Sequence, residues 1–247
     1  MTFDLYPLRF RFASCKLRDF SANTLRGALG NAMKKIDADA YARFFAPRAA
    51  LGSVPSGLAD PPRPFVFRML GPLEAGLNLF LTDESALGLF TEVMREIGTV
   101  SSVAGTERLE LPLCGSQLLV PKLRVRFLTP TEIKGADQPE FGILMARVRD
   151  RVSTLRALYG DGPLPIDFKA FGERAGDVSM TRCEIDWVAA ERTSRNTGQR
   201  HSLGGFRGVA EYQGDIAEFL PYLEIARWTG VGRHTVWGKG EIVYEAL

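Results

Sequence analysis

The densest chemical signal in the chain is GVGRHTVWGKGEI, residues 230–242. Its four glycines, Gly230, Gly232, Gly238 and Gly240, would each cost a regular strand about 0.5–1 kcal/mol relative to alanine. What they offer in return is a backbone that a phosphate can approach closely, while Arg233, His234 and Lys239 supply positive charge. A dinucleotide-binding turn does not fit, because it needs a strand before the glycines and a helix after them. Here a helical stretch precedes them and the last strand follows. Trp237 is either a stacking platform for a base, a contact worth about 1–3 kcal/mol, or a plain core residue.

Residues 192–210, RTSRNTGQRHSLGGFRGVA, form a second basic stretch with Arg192, Arg195, Arg200, Arg207 and His201 and no carboxylate. Residues 225–240 are likewise acid-free, with Arg227, Arg233, His234 and Lys239 as their only charged or titratable side chains. The net charge is only +2, but 24 of the 31 basic side chains are arginine, so placement matters more than balance. Two glycine-bearing basic stretches without acids point to an anionic partner, with phosphate the first candidate. The plainer alternative for either stretch alone is a solvated surface loop.

Composition sets limits on the rest. With 45% hydrophobic and 24% charged residues over 247 positions, the chain can bury a sizeable core, which excludes a disordered protein. Cys15, Cys114 and Cys183 stand far apart and in no CxxC spacing, against both a disulfide scaffold and a zinc site. No metal or cofactor is expected. The start MTFDLYPLRF lacks a basic and then apolar leader, and no apolar run approaches the roughly 18 residues of a membrane span. The expectation is a cytoplasmic protein with no membrane partner.

The elements that must position these residues follow one order twice. Leu8, Phe10 and Phe12 alternate with Arg9 and Arg11 as in a half-buried strand. Ser21 can cap a helix carrying Leu25, Leu29, Met33 and Ile36. Residues 37–64 read as a long connection, followed by strands in PFVFRML and LEAGLNLFLT. A helix with Leu87, Phe90, Met94 and Ile97 stops at Gly98, and a last strand or hairpin lies in LELPLCGSQLLV.

From Lys122 the order begins again. Leu123, Val125 and Phe127 alternate in a strand broken by TPTEIKG, and a long helix spans about residues 141–159. Its arginines, Arg147, Arg149, Arg151 and Arg156, sit among Asp150 and read as a solvated face. Strands follow in RCEIDWVAA and FRGVAEY, then a helix PYLEIARW with Pro221 near its start and a closing strand in VWGKGEIVYEA. Each half is β-α-β-β-α-β. The fold class is therefore α+β: two tandem ferredoxin-like domains, 1–121 and 122–247, with the glycine-rich loop near the C-terminus.

Several of these segments together resemble a known family: LRGALGNAMKK in the first helix, DPPRPFVF, VRFLTPTEIK at the domain junction, and RTSRNTGQRHSLGGFRGVAEYQGD leading to GVGRHTVWGKGEI. They are similar to the RAMP-superfamily endoribonucleases that process precursor CRISPR RNA, the Cas-six family. The resemblance implies two ferredoxin-like domains and a CRISPR repeat RNA as partner. It also implies a single metal-free cut in which the 2'-hydroxyl beside the scissile phosphate is the nucleophile. Such a reaction needs a proton acceptor, a proton donor and cations around the charged phosphorane.

Many relatives carry a catalytic histidine in or just after the first helix, whereas this chain has no histidine before His201. The candidates for proton transfer are then His201, between Arg200 and the Gly204-Gly205 turn, Tyr41 just after the first helix, and Lys35, which with Lys34 ends that helix. Histidine is the natural choice because its ordinary pKa lies near neutrality. His234 is expected to bind phosphate, and Arg192, Arg195, Arg200, Arg207, Arg233 and Lys239 to fix RNA register. Two rival readings stand beside the nuclease. One is a non-catalytic subunit holding guide RNA among other CRISPR effector subunits, and the other a small-molecule phosphate-ester or nucleotide enzyme.

Overall fold

The computed structural model describes residues 1–47, 61–80, 84–114, 119–189, 191–193 and 200–247, with the backbone alone for 191–193 and 200–202. Strand β1 (Thr2–Cys15) buries Leu8, Phe10 and Phe12 and exposes Arg9 and Arg11, as alternation requires. Ser21 caps α1 (Ala22–Ile36) by accepting the Thr24 N–H, and Leu25, Leu29 and Met33 line its buried side. Asp37 follows at once as the cap of a second helix, α2 (Ala38–Phe45), accepting from the N–H groups of Asp39 and Ala40. This helix corrects the expected long connection from residue 37: an aspartate cap and the buried pair Phe44 and Phe45 give it both a start and an inward face.

Strands β2 (Phe65–Gly71) and β3 (Glu74–Leu79) form a hairpin, and α3 (Ser85–Ile97) passes directly into β4 (Gly98–Ala104). The sheet edge expected in residues 109–120 belongs instead to β4, and β5 (Leu109–Pro112) pairs with the start of β1. Gly98 is extended at φ −174°, so it ends the helix by opening a strand rather than a turn. The β-branched residues Thr99, Val100 and Val103 suit that strand.

The second half contains β6 (Lys122–Thr131), α4 (Phe141–Tyr159), α5 (Phe168–Gly176), β7 (Ser179–Val188) and the short pair β8 (Glu191–Thr193) and β9 (Arg200–Ser202). It continues with β10 (Gly205–Gln213), a 3₁₀ turn at Ala217–Phe219, α6 (Leu220–Thr229) and β11 (Ile242–Ala246). Helix α5 was not foreseen; Asp167 caps it as Asp37 caps α2. Strand β6 runs through the TPT that was expected to break it, and β11 starts at Ile242 rather than Val236.

Both sheets are antiparallel and share one strand order, β2-β3-β1-β4 and β11-β6-β10-β7. In each half the first and third main strands are central neighbours, the fourth flanks the first, and the second flanks the third. This is the α+β arrangement of tandem ferredoxin-like sheets.

Strand β1 serves two cores. Tyr6, Leu8, Phe10 and Phe12 pack with α1 and α3, whereas Phe3 and Leu5, on the other face, join Val66, Phe80 and Leu111 in the core of the second half. The first sheet is therefore covered on both sides. For the same reason the solvated arginine face expected on α4 fails for three of its four arginines. Arg149 bonds Asp150 and the Phe168 carbonyl, Arg151 donates to the Thr229 carbonyl, and Arg156 is buried. Of the four, Arg147 is the exposed one. Cys15, Cys114 and Cys183 are free, and among the described residues no helix is long and apolar enough to cross a membrane.

Candidate nucleic-acid interface

Between α6 and β11 the glycine-rich segment is a closed loop with a 3₁₀ turn at Thr235–Trp237. Its two ends are joined by the Val231 N–H donating to the Gly240 carbonyl (2.8 Å), and it is pinned to the end of β6 by Gly240 N–H to Pro130 (3.1 Å) and Arg233 N–H to Glu132 (2.9 Å). Gly232 and Gly240 have φ of 75° and 69°, and a Cβ at either would collide with a backbone carbonyl, that of Glu132 or that of Val231. Glycine is needed there for both backbone conformation and close approach. The N–H groups of Gly230, Gly238 and Gly240 donate to Ala226, Thr235 and Pro130, so they serve the protein's own turns. Side chains carry most of what the segment can present to an anion.

Those side chains are partly held by one acid that sequence reasoning passed over. Glu132, from the TPTEIK stretch, accepts from Arg233 at 2.6 Å through Oε1 and faces His234 Nε2 at 3.3 Å through Oε2. His234 adopts a left-handed backbone, φ 63°, and its side chain is 17% exposed against 56% for Arg233. The arginine is thus placed to reach a ligand, and the histidine is turned inward. Lys239 is half-buried; burial, and then the Arg207 charge, pull its pKa below the ordinary lysine value. Arg207 lies exposed on β10, so the second basic stretch comes within electrostatic reach of the end of the loop at this pair.

The loop is seated against the first half. The 3₁₀ turn packs on β2 and α1, and a Cβ on Gly238 would press on the side chain of Ala22 at the start of α1. From there a run of alternating aromatic and cationic groups reaches the α1–α2 corner. His234 and Trp237 lie 5.3 Å apart, and Arg26 of α1 sits 4.8 Å over Trp237 and 5.8 Å over Phe45. Phe45 stacks on Tyr41 at 5.3 Å and 7°, and Lys34 Nζ lies 5.8 Å over Tyr41. Cation–π pairs of this kind are worth about 0.5–2 kcal/mol each. They connect the corner to the loop across nearly 200 residues of sequence, between Lys34 and His234.

Comparison with known proteins agrees with this architecture. Thermus thermophilus Cas6 (TTHB231) superposes with a TM-score of 0.60 at 18% identity, covering 99% of each chain. The product complex of a second Cas6, TTHA0078, gives 0.61 at 17% identity, covering 98% of this chain and 99% of that one. No curated protein matches. The family model for CRISPR-associated endoribonuclease Cas6 matches residues 125–242. That match places the second half of the chain in the Cas6 family.

Among the residues expected to act, the structure brings Tyr41, Arg233, His234 and Trp237 into one connected region, with Lys239 near Arg207 at the end of the loop and Gly230, Gly232, Gly238 and Gly240 shaping it. Lys35 lies exposed in the last turn of α1, one residue from Lys34. Arg195 lies outside the described residues, as do the side chains of Arg192, Arg200 and His201. Their backbones form the β8–β9 pair, with Arg192 in register with His201 and Thr193 with Arg200.

The residues of this region that sequence reasoning missed are Arg26 and Glu132. Arg26 has no local signal, since it reads as one polar position on an amphipathic helix. Glu132 had one, the TPTEIK stretch that carried the family resemblance.

Proposed function

We propose that this protein binds the repeat RNA of a CRISPR array and cuts it once by attack of a 2'-hydroxyl on the adjacent phosphorus, without a metal ion. The observation that carries the reading is the meeting of the α1–α2 corner with the glycine-rich segment through Arg26 and Trp237, in a chain whose second half matches the Cas6 endoribonuclease family. The corner offers Tyr41, Lys34 and Lys35, and the segment offers Arg233 and Lys239. Relatives solved as a product complex and as a substrate-mimic complex support an RNA ligand for this fold.

The chemistry follows from those groups. A base removes the 2'-hydroxyl proton, the new P–O2' bond forms, and the P–O5' bond breaks as an acid protonates the departing 5'-oxygen. The products are a 2',3'-cyclic phosphate and a 5'-hydroxyl. Cations at the loop offset the charge that develops on the phosphorane. His201 is assigned the first proton-transfer role, with Tyr41 and Lys35 as the alternatives, and Arg192, Arg195, Arg200 and Arg207 extend the RNA-facing surface. The two ferredoxin-like domains are assigned to residues 1–121 and 122–247.

The test is single-turnover cleavage of a synthetic RNA of the repeat encoded beside the gene. Cleavage persists in excess EDTA, leaves a 2',3'-cyclic end and is abolished by 2'-deoxyribose at the cut nucleotide. Tight binding with no cleavage under any condition favours the second reading, a non-catalytic guide-RNA subunit, which the absence of any histidine before His201 supports.

A further inference from the structure

A helix leaves its last four carbonyls without partners along its own axis, and in α6 all four find one. Ala226 accepts from the Gly230 N–H (2.8 Å). Arg227 accepts from Arg68 Nη2 (3.5 Å), Trp228 from Asn78 Nδ2 (2.9 Å) and Thr229 from Arg151 Nε (3.0 Å). Three of these donors are side chains, from β2, β3 and α4, and two of the three belong to the first half. The glycine-rich segment begins at the next residue, Gly230.

Arg68 also reaches the far end of that segment. Its Nε lies 3.7 Å from Oε1 of Glu241, the residue just before β11. A Cβ placed on Gly230 would be 3.2 Å from the Lys239 carbonyl and 3.3 Å from Arg68 Nη2, so the guanidinium lies where the chain enters and leaves the loop. Arg68 is 6% exposed.

This arrangement is poor as a stabilising device. Burial pulls the Arg68 and Arg151 guanidiniums below their ordinary pKa, Arg151 to about 9, and the charge of Arg68 adds to the effect on Arg151. Among the described residues, one amino nitrogen of Arg151 is buried with no hydrogen-bond partner. Buried charges of this kind are commonly matched or bettered in stability by apolar residues of similar volume. The placement they provide is specific, however, because a cation and directed donors fix the end of α6 relative to the first sheet.

We infer that Arg68, assisted by Asn78 and Arg151, is a positioning residue that sets the glycine-rich segment from the opposite half of the molecule, a role that rests on reading that segment as RNA-facing. Without it the loop stays attached at β6 but loses its fixed entry and exit, so Arg233 and Lys239 no longer hold one geometry.

The experiment compares full-length wild type, Arg68→Met, Arg68→Lys and Asn78→Ala, with Arg233→Ala as control. Each is measured for repeat-RNA affinity by filter binding. Seating of the loop is read as Trp237 emission in a background carrying Trp187→Phe and Trp228→Phe. Arg68→Met is expected to weaken RNA binding at least about tenfold, equivalent to about 1.4 kcal/mol, with a shifted Trp237 emission, and Arg68→Lys to recover part of both. Asn78→Ala is expected to move both in the same direction, and it decides the matter if Arg68→Met does not fold.

Unchanged affinity and emission in Arg68→Met, or in Asn78→Ala if it must stand in, overturns the inference. So does a loss of affinity with no change at Trp237. If Arg233→Ala also leaves affinity unchanged, the RNA-facing reading of the loop falls as well. If Arg233→Ala weakens binding and Arg68→Met does not, only the positioning role falls.

Discussion

Arg26 lies over the Trp237 indole at 4.8 Å, so one guanidinium in the first helix holds the turn of a loop more than 200 residues further along the chain. Its second ring, Phe45 at 5.8 Å, belongs to α2 and stacks on Tyr41. Removing this cation separates the α1–α2 corner from the glycine-rich segment while leaving both elements folded. Arg26→Ala is expected to cost about 0.5–2 kcal/mol in urea denaturation and to slow single-turnover cleavage at least about tenfold. Arg26→Lys should restore part of the rate. A variant that cuts at the wild-type rate would remove Arg26 from the site.

Gly240 provides a test of the loop's backbone. Its φ of 69° and the Val231 carbonyl against its Cα exclude a side chain on two counts, whereas Gly135, at φ 79°, has open space around it. Left-handed backbone alone costs a non-glycine residue about 1–2 kcal/mol. Gly135→Ala is expected to fall in that range and Gly240→Ala to exceed it, measured by chemical denaturation. Equal losses would mean that the collision is relieved at no cost.

The depressed pKa of Lys239 gives a pH dependence with a definite sign. Burial and the Arg207 charge lower it from the ordinary 10.5, so in the folded protein the ammonium loses its proton earlier than in the unfolded chain. Below the folded value both states are charged and the fold bears the full cost. Between the folded value and 10.5 the unfolded state binds more protons, so this residue's contribution to stability rises with pH. RNA binding runs the other way, because a phosphate contact needs the charge. Affinity is expected to fall as pH rises through that window in wild type and to hold in Lys239→Arg, followed by filter binding at fixed salt. Parallel pH profiles for the two proteins would exclude Lys239 as a phosphate contact.

Proton transfer can be assigned by substitution. General acid or base assistance is typically worth about 100-fold to 10,000-fold. His201→Ala is expected to lower the single-turnover rate by at least the bottom of that range, about 100-fold, with RNA affinity nearly intact. If the rate barely moves, Tyr41→Phe, Lys35→Ala and His234→Ala identify the group by the same criterion.

Much of this molecule was legible as sequence because its signals are local. The alternation of Leu8, Phe10 and Phe12 with Arg9 and Arg11, the cap at Ser21 and the helical spacing of Leu25, Leu29 and Met33 are properties of a few adjacent residues, and the structure repeats them. The doubled element order and the glycine-rich segment were likewise visible. Local signals also explain the misses. Asp37 and Asp167 cap helices short enough to hide inside what read as connections, and β4 is built largely of small and polar residues.

Tertiary structure alone decided what holds the candidate site. Glu132 meets Arg233 across 101 residues, Asn78 reaches the Trp228 carbonyl across 150, and Arg68 reaches that of Arg227 across 159. The period of α4 showed which side was apolar, but not that Arg149, Arg151 and Arg156 would be covered on its flanks. Periodicity reports how one element divides between core and solvent. Which polar side chains meet across a domain interface depends on how two such elements pack, and no spacing along the chain encodes that.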